Sequence, residues 1–323
     1  MALHKNESVC QTKTYEKVIQ CSLLVFLMIA SIIGNGCIFV LLGRFKYLQT
    51  SANILVANLA TWDILQALTQ TPFYIGYAVF NSPNIRGKNL SASFTTLRYL
   101  FGLGTVSAMA LLMTDRWIVL AYGLKYTAWK SPAKVFRVVL AQSVFCAIIT
   151  ICLALPLFSI DLGNVSYKEY FEVYYSTSHI LAGQSILSFF LVIFAILAVV
   201  TWRAMGKQRQ RLQRLGFRVH TGRDRIGRDA KAAWTVWIVV VIFVVSFLPV
   251  ILQVCSLLPV DCKVWCKFFT AFLLFIPLAS NPIIYFLRTQ RFRRALKQLL
   301  YKKEVKEIPK SFLNVTSTRI TRL

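Results

Sequence analysis

Acid is scarce in this chain. Its 323 residues hold 12 Asp and Glu against 37 Lys and Arg, a net charge of +25, and three histidines: His4, His179 and His220. No Ser, His and Asp group together, no His, Cys, Asp and Glu fall at metal-ligand spacing, and no glycine-rich phosphate loop occurs. Catalytic residues, a structural metal and an organic cofactor are therefore not expected, and an enzyme is disfavoured. No internal repeat is visible, which speaks against a secondary transporter built from two matching halves. There is no proline between Pro156 and Pro249 and no cysteine between Cys152 and Cys255. A cleavable signal is not expected, because Lys5, Glu7, Lys13, Glu16 and Lys17 precede a first apolar run too long for a signal core.

Long apolar runs fill the chain instead. Hydrophobic residues make up 57% of it, more than a soluble domain of ordinary composition carries. Runs at 18–43, 52–80, 92–122, 134–159, 177–202, 232–258 and 264–287 are each long enough to cross a bilayer and mostly free of charge. In lipid every backbone N–H and C=O needs an internal partner, so an all-α membrane protein of seven spanning helices is expected. The net charge at first suggests nucleic acid, but its placement argues for no nucleic-acid partner. Arg and Lys crowd 44–46, 125–137, 203–231 and 288–322, whereas 81–90, 160–176 and 259–263 are nearly balanced. That is the positive-inside pattern of a multi-pass protein in contact with anionic lipid. It predicts an extracellular N-terminus (1–17), a seven-span domain (18–287), a short amphipathic eighth helix (288–301) and a cytoplasmic tail (302–323). Sequons at Asn6, Asn89 and Asn164 fall on the predicted outer side; the one at Asn314 falls inside and should be unused.

The stretch from Arg98 to Tyr126 organises the rest. Arg98 and Arg116 are 18 residues apart, which is about five turns, so they share one helix face roughly 27 Å apart. That nearly matches a hydrocarbon core of about 30 Å. Gly102, Thr105, Met109 and Leu112 fall on or near the same stripe. Two arginines snorkelling to the membrane surfaces would be the plainest reading, but an Asp directly before Arg116, at the edge of an uncharged helix, asks for more.

Other spans carry single polar residues. Asn35, between Gly34 and Gly36, is expected to face the bundle and bond to backbone or to a neighbouring helix, since an amide in lipid is costly. Asp63 is a lone carboxylate deep in the second span. It should bind a cation, pair with a polar neighbour or take up a proton within a hydrogen-bond network. The fourth span has no charge between Arg137 and Asp161 and shows no site chemistry. The sixth starts at Asp229-Ala230-Lys231, and Pro249 should kink it by removing a backbone bond. Cys37, Cys146 and Cys152 lie within spans and are read as inert. Cys10, Cys262 and Cys266 lie on the oxidising side, where Cys262 and Cys266 are close enough to bridge, or either could pair with Cys10.

Taken in order, these motifs make the chain resemble a rhodopsin-like, class A G-protein-coupled receptor over about residues 18–300. They are Gly-Asn at Asn35, Asn-Leu-Ala-x-x-Asp from Asn58 to Asp63, and Asp115-Arg116-Trp117. Phe243, Phe247 and Pro249 follow, then Asn281-Pro282-x-x-Tyr285 and Phe292-Arg293 in the eighth helix. The resemblance implies that Arg116 pairs with Asp115 and with Asp229 in the inactive state. Outward movement of the sixth span about Pro249 would then open a cavity for a heterotrimeric G protein. It implies that Leu124 is an apolar plug of the second inner loop, that Tyr285 swings inward, and that Asp63, Thr105 and Asn281 form a water or cation site, with sodium the ion in view. It places Arg98 in a ligand pocket, where Gln70, Gly102, His179, Phe247 and Gln253 are grouped with it. A guanidinium there suits a carboxylate or phosphate, so an anionic small molecule or lipid is the expected extracellular ligand.

The chain also departs from the pattern. Ser91 stands where a bridging cysteine is usual, Phe247 replaces a tryptophan, Trp117 a tyrosine and Gly123 a proline, and Pro277 sits where a cation-site Asn is common. Lacking both the cysteine and the fifth-span proline is similar to the melanocortin, lysophospholipid and cannabinoid branches. A light receptor is disfavoured, since no lysine lies between Phe268 and Tyr285. A peptide-activated receptor of the same class, a non-signalling receptor-like protein and a transporter are the other readings. The end Thr321-Arg322-Leu323 resembles a class I PDZ ligand, with Leu323 for an apolar pocket and Thr321 for a hydroxyl contact. Phosphate on Ser317, Thr318 or Thr321 would block that mode and could favour arrestin.

Overall fold

The computed structural model describes residues 14–79, 88–159, 178–214, 233–249 and 264–301. All of its long elements are helices. They are α1 (Thr14–Arg44), α2 (Ser51–Tyr74), α3 (Lys88–Tyr122), α4 (Leu124–Trp129), α5 (Pro132–Ser159), α6 (Ser178–Arg214), α7 (Ala233–Pro249), α8 (Val264–Arg288) and α9 (Gln290–Tyr301). A single 3-10 turn, Lys46–Leu48, joins α1 to α2, and the Thr50 hydroxyl caps α2 by accepting from Asn53 N at 3.4 Å. Such a cap supplies an oxygen to an otherwise orphaned N–H. α2 contains Pro72 and runs on into a wide π-helical turn over Ile75–Val79.

α3 is the centre of the bundle and packs on α2, α5 and α6; α1 packs on α2 and α8. Burial runs opposite to apolarity. Among the described residues four helices are long and apolar enough to cross a membrane. In α1 and α5, the most apolar of them, only 22% and 17% of the apolar window is buried, against 56% in α3. A water-soluble bundle would show the reverse. Helices whose outer faces meet lipid can be apolar all round, while the central helix gives up apolar residues for polar contacts. The chain is thus an all-α, multi-pass membrane protein.

Without a hydrophobic drive between helices in lipid, close approach decides which ones pair. Two glycines allow it. A Cβ at Gly104 of α3 would lie 2.4 Å from Trp62 Cδ2 of α2, and one at Gly34 of α1 would lie 2.6 Å from Pro282 Cγ of α8. Any side chain at either position would push the helices apart.

Candidate functional site

Pro282 has no N–H, so the Leu278 carbonyl four residues earlier in α8 loses its helical donor. Asn35 of α1 replaces it, donating from Nδ2 to Leu278 O at 3.0 Å while also donating to Ser31 O in its own helix. The Gly34 contact makes room for the proline ring on the same turn. Gly34-Asn35 and Asn281-Pro282 therefore act as one fitting: the glycine receives the ring and the amide satisfies the carbonyl that the ring exposes.

Beside this joint, Asn281 Nδ2 donates to Asp63 Oδ2 of α2 at 2.8 Å. Both side chains are buried, and Asp63 Oδ1 and Asn281 Oδ1 have no hydrogen-bond partner among the described residues. Thr105 of α3 is brought near but not in: its hydroxyl donates to Gln66 Oε1 at 3.5 Å, one turn along α2 from Asp63. Of the expected trio, Asp63 and Asn281 bond directly, while the Thr105 hydroxyl bonds Gln66. Tyr285 is buried, its hydroxyl has no hydrogen-bond partner among the described residues, and it feels the charge of both Asp63 and Arg116, so it stands between the two polar centres.

The second centre lies at the end of α3. Gly123 turns the chain with φ +54°. Proline, locked near −65°, cannot take that angle, so glycine in place of the usual proline has a backbone reason. The turn lets α4 fold back over Asp115. Tyr126 donates its hydroxyl to Asp115 Oδ1 at 3.0 Å, and the Lys130 ammonium bonds the same oxygen. Arg116 Nη2 lies 3.0 Å from Asp115 Oδ2, an ion pair without hydrogen-bond alignment. Lys130 belongs to the basic stretch 125–137, yet its side chain is 7% exposed. Burial lowers its pKa, although the Asp115 carboxylate works to raise it. Burial, the Asp115 charge and the hydrogen bond together raise the Tyr126 phenol, so it stays a donor.

The fourth span, read as lacking site chemistry, carries a junction. Asn58 of α2 donates to Gln142 Oε1 at 3.0 Å. Gln142 Nε2 donates to Ser107 Oγ at 2.6 Å and Gly104 O at 3.3 Å. One buried amide ties α2, α3 and α5 together. A lone Gln in an otherwise apolar run was the signal available for it.

Toward the other end of α3, Arg98 is exposed and its charge reaches Tyr74 of α2. Gln70 is buried, with no partner for Nε2 among the described residues, and Gly102 is half-buried. Phe247 stacks on Phe243 at 4.4 Å, and Phe243 meets Phe194 of α6 at 5.8 Å. Toward the other ends of α6 and α7, Trp202 packs on Trp234 and Trp237 with centroids 5.4 and 5.1 Å apart. Trp117 is half-buried, Asn89 is exposed in the first turn of α3, and Ser91 is buried. Pro249 ends α7. Cys10, Cys262, Asn6, Asn164, Asp229, Gln253, Thr321 and Leu323 lie outside the described residues. So do the side chains of His179, Cys266 and Leu124, whose backbones belong to α6, α8 and α4.

The family model for the seven-transmembrane receptors of the rhodopsin family matches residues 34–285, well over half of the chain. The chain belongs to that family. Curated relatives include prokineticin receptor 2 of Rattus norvegicus, 28% identical over 45% of this receptor and 39% of the relative. Prokineticin receptor 1 of Mus musculus is 30% identical over 39% and 33%, and rhodopsin of a Sphodromantis species 28% identical over 33% and 28%. The receptor thus matches less than half the length of each of these relatives. The matched range opens at Gly34 and closes at Tyr285, so it takes in the Asn35–Leu278 joint, the Asp63–Asn281 pair and the Asp115 clamp. This family is not a class of enzymes.

Proposed function

We propose that this receptor carries a signal from an extracellular ligand across the plasma membrane, with its N-terminus outside, to a heterotrimeric G protein. The observation that carries the reading is a set of separate buried polar centres: the Asn35–Leu278 bond, the Asp63–Asn281 pair and the Asp115–Arg116 ion pair, with Tyr285 buried as well. Such groups are costly in lipid and are kept where two arrangements must be close in energy. In this reading Asp229 also holds Arg116 in the resting state. Opening for the G protein moves α7 and parts Trp202 from Trp234 and Trp237. Tyr285, buried and without a hydrogen-bond partner among the described residues, is a side chain with a hydroxyl contact to gain. A sodium ion fits the donor set of the Asp63 pair: two buried oxygens without donors, one of them a carboxylate's. Asp63 and Asn281 would hold it, and it would neutralise the carboxylate in the resting state.

The ligand we favour is an anionic small molecule or lipid gripped by Arg98. A peptide ligand is the alternative; prokineticin belongs among those tried, because two relatives are named for it. Arrestin and a PDZ-domain protein at Thr321 and Leu323 are proposed as further partners. Glycans are proposed at Asn6, Asn89 and Asn164, and an outer disulfide through Cys262 and Cys266, or one of these with Cys10. The test is a second-messenger screen of the expressed receptor with ligand pools sorted by charge, run beside Arg98→Ala and Asp229→Ala. An anionic agonist that loses potency with Arg98→Ala, and basal signalling that rises with Asp229→Ala at matched surface expression, are expected. Unchanged potency would overturn the anion assignment, and unchanged basal signalling the Asp229 restraint.

A further inference from the structure

We propose that the inner extension of α6 is a docking helix for an acidic, calcium-loaded EF-hand sensor of the calmodulin type. α6 is 37 residues long. That is about 55 Å of helix, against a hydrocarbon core of about 30 Å. Trp202, packed on Trp234 and Trp237, ends its apolar part. From Arg203 to Arg214 the same helix runs on for about 18 Å. Arg203, Gly206, Lys207 and Gln210 are exposed there, and Met205 is half-buried.

Helix phase gives the extension two faces. Arg203, Lys207, Arg211 and Arg214 recur at intervals of three and four residues and fall on one stripe, while Trp202, Met205 and Leu212 fall on the opposite side. The same phase continues in the sequence at Leu215, Arg218 and Val219, and no acidic residue lies between Glu172 and Asp224. A basic amphipathic helix suits either a membrane surface or the groove of a calcium sensor. Direction decides between them. This helix continues a spanning helix without a break, so it leads away from the bilayer, and its apolar stripe has no acyl chain to meet. α9 is also basic and gives the contrast: Phe292 and Ala295 pack it against the bundle at 1% and 0% exposure, so its apolar side is already covered. Calcium opens such a sensor onto an apolar groove rich in methionine, which takes an amphipathic helix, and acidic groups around the groove supply the charge that the stripe lacks.

The inference takes from the reading above only that this end of α6 faces the cytoplasm. Its test needs neither agonist nor G protein, so its failure and that of the signalling reading are separate. The purified full-length receptor is placed in nanodiscs and titrated with calmodulin, in calcium and in a calcium chelator. Binding should be at least about tenfold tighter in calcium. Leu212→Asp, and the quadruple variant Arg203→Gln, Lys207→Gln, Arg211→Gln, Arg214→Gln, should each lose about tenfold or more. Changing Arg293, Arg294 and Lys297 of α9 to Gln should leave binding within about twofold. Affinity should also be the same in discs of phosphatidylcholine and in discs that contain phosphatidylserine as well. Leu212→Asp stands in if the quadruple variant fails to fold. Equal binding with and without calcium, an unchanged Leu212→Asp receptor, or an equal loss from the α9 control would each overturn the site. Binding that disappears when phosphatidylserine is present would overturn it too, because the membrane would then be the occupant of the helix.

Discussion

Asp63 and Asp115 are both almost fully buried, at 0% and 3% exposure, yet they are held in opposite ways. Asp63, halfway along α2, has a neutral amide on one oxygen and, among the described residues, no donor on the other. Asp115, at the end of α3, is held by two cationic side chains and a phenol. The difference follows from depth. At the membrane edge, long side chains from a loop can bring charge to a carboxylate while their stems stay in contact with protein. In the middle of the hydrocarbon no such arm is available, and the carboxylate depends on something that can come and go, a proton or a small cation. One site is therefore closed by the chain itself and the other is open to its surroundings.

The largest effect should come from breaking the closed site. Asp115→Asn removes the one anion shared by Arg116, Lys130 and Tyr126, and leaves a buried lysine unpaired. Breaking a buried ion pair from one side costs about 3–5 kcal/mol. The variant should lose thermal stability, and its basal nucleotide exchange should rise about fivefold or more at matched surface expression, because the resting state alone keeps the clamp. Exchange and melting both unchanged would mean that the clamp does not restrain the resting state.

The open site should respond to its surroundings more than to loss of the charge. Asn at position 63 can still accept from Asn281, so Asp63→Asn should change stability by only about 1 kcal/mol. What it should abolish is the effect of sodium. Agonist affinity of the unaltered receptor should fall about fivefold between sodium-free and sodium-containing buffer, with N-methylglucamine balancing ionic strength, and that of the variant should not move. A receptor insensitive to sodium from the start would point to a proton in place of the ion, and the contrast with Asp115 would then be one of protonation.

Much of the open site was legible in the sequence and little of the closed one. Asn35, Asp63 and Asn281 stand out because polar groups in apolar runs need partners, and the partners can come only from other runs. Pro282 marks the turn of α8 where a carbonyl is left without its donor, so even the Asn35–Leu278 bond has a visible cause. Lys130 gives no such signal. It lies 15 residues from Asp115 across the Gly123 turn, and the rule that places basic residues at the inner surface says nothing of which one folds back. Gln142 carries no charge and so gives no signal in a span judged by charge, and helix phase gives Thr105 a face without choosing between Asp63 and Gln66 on the opposing helix.

The smallest effect is the most discriminating for the closed site, because it separates charge from hydrogen bonding there. Tyr126→Phe keeps the ring and removes only the hydroxyl that donates to Asp115, while Lys130 and Arg116 remain in place. A hydrogen bond to a charged group contributes about 1.5–3 kcal/mol when buried, and less when the donor is half-exposed as Tyr126 is. If charge dominates, Tyr126→Phe should raise basal exchange by about twofold at most, well short of Asp115→Asn. Combining it with Lys130→Gln should then give more than the sum of the two single effects, since the two donors share one oxygen and each can cover in part for the other. Should Tyr126→Phe alone match Asp115→Asn, the phenol would be the latch and the two cations only its surroundings, and the distinction between a site closed by charge and one left open would no longer hold.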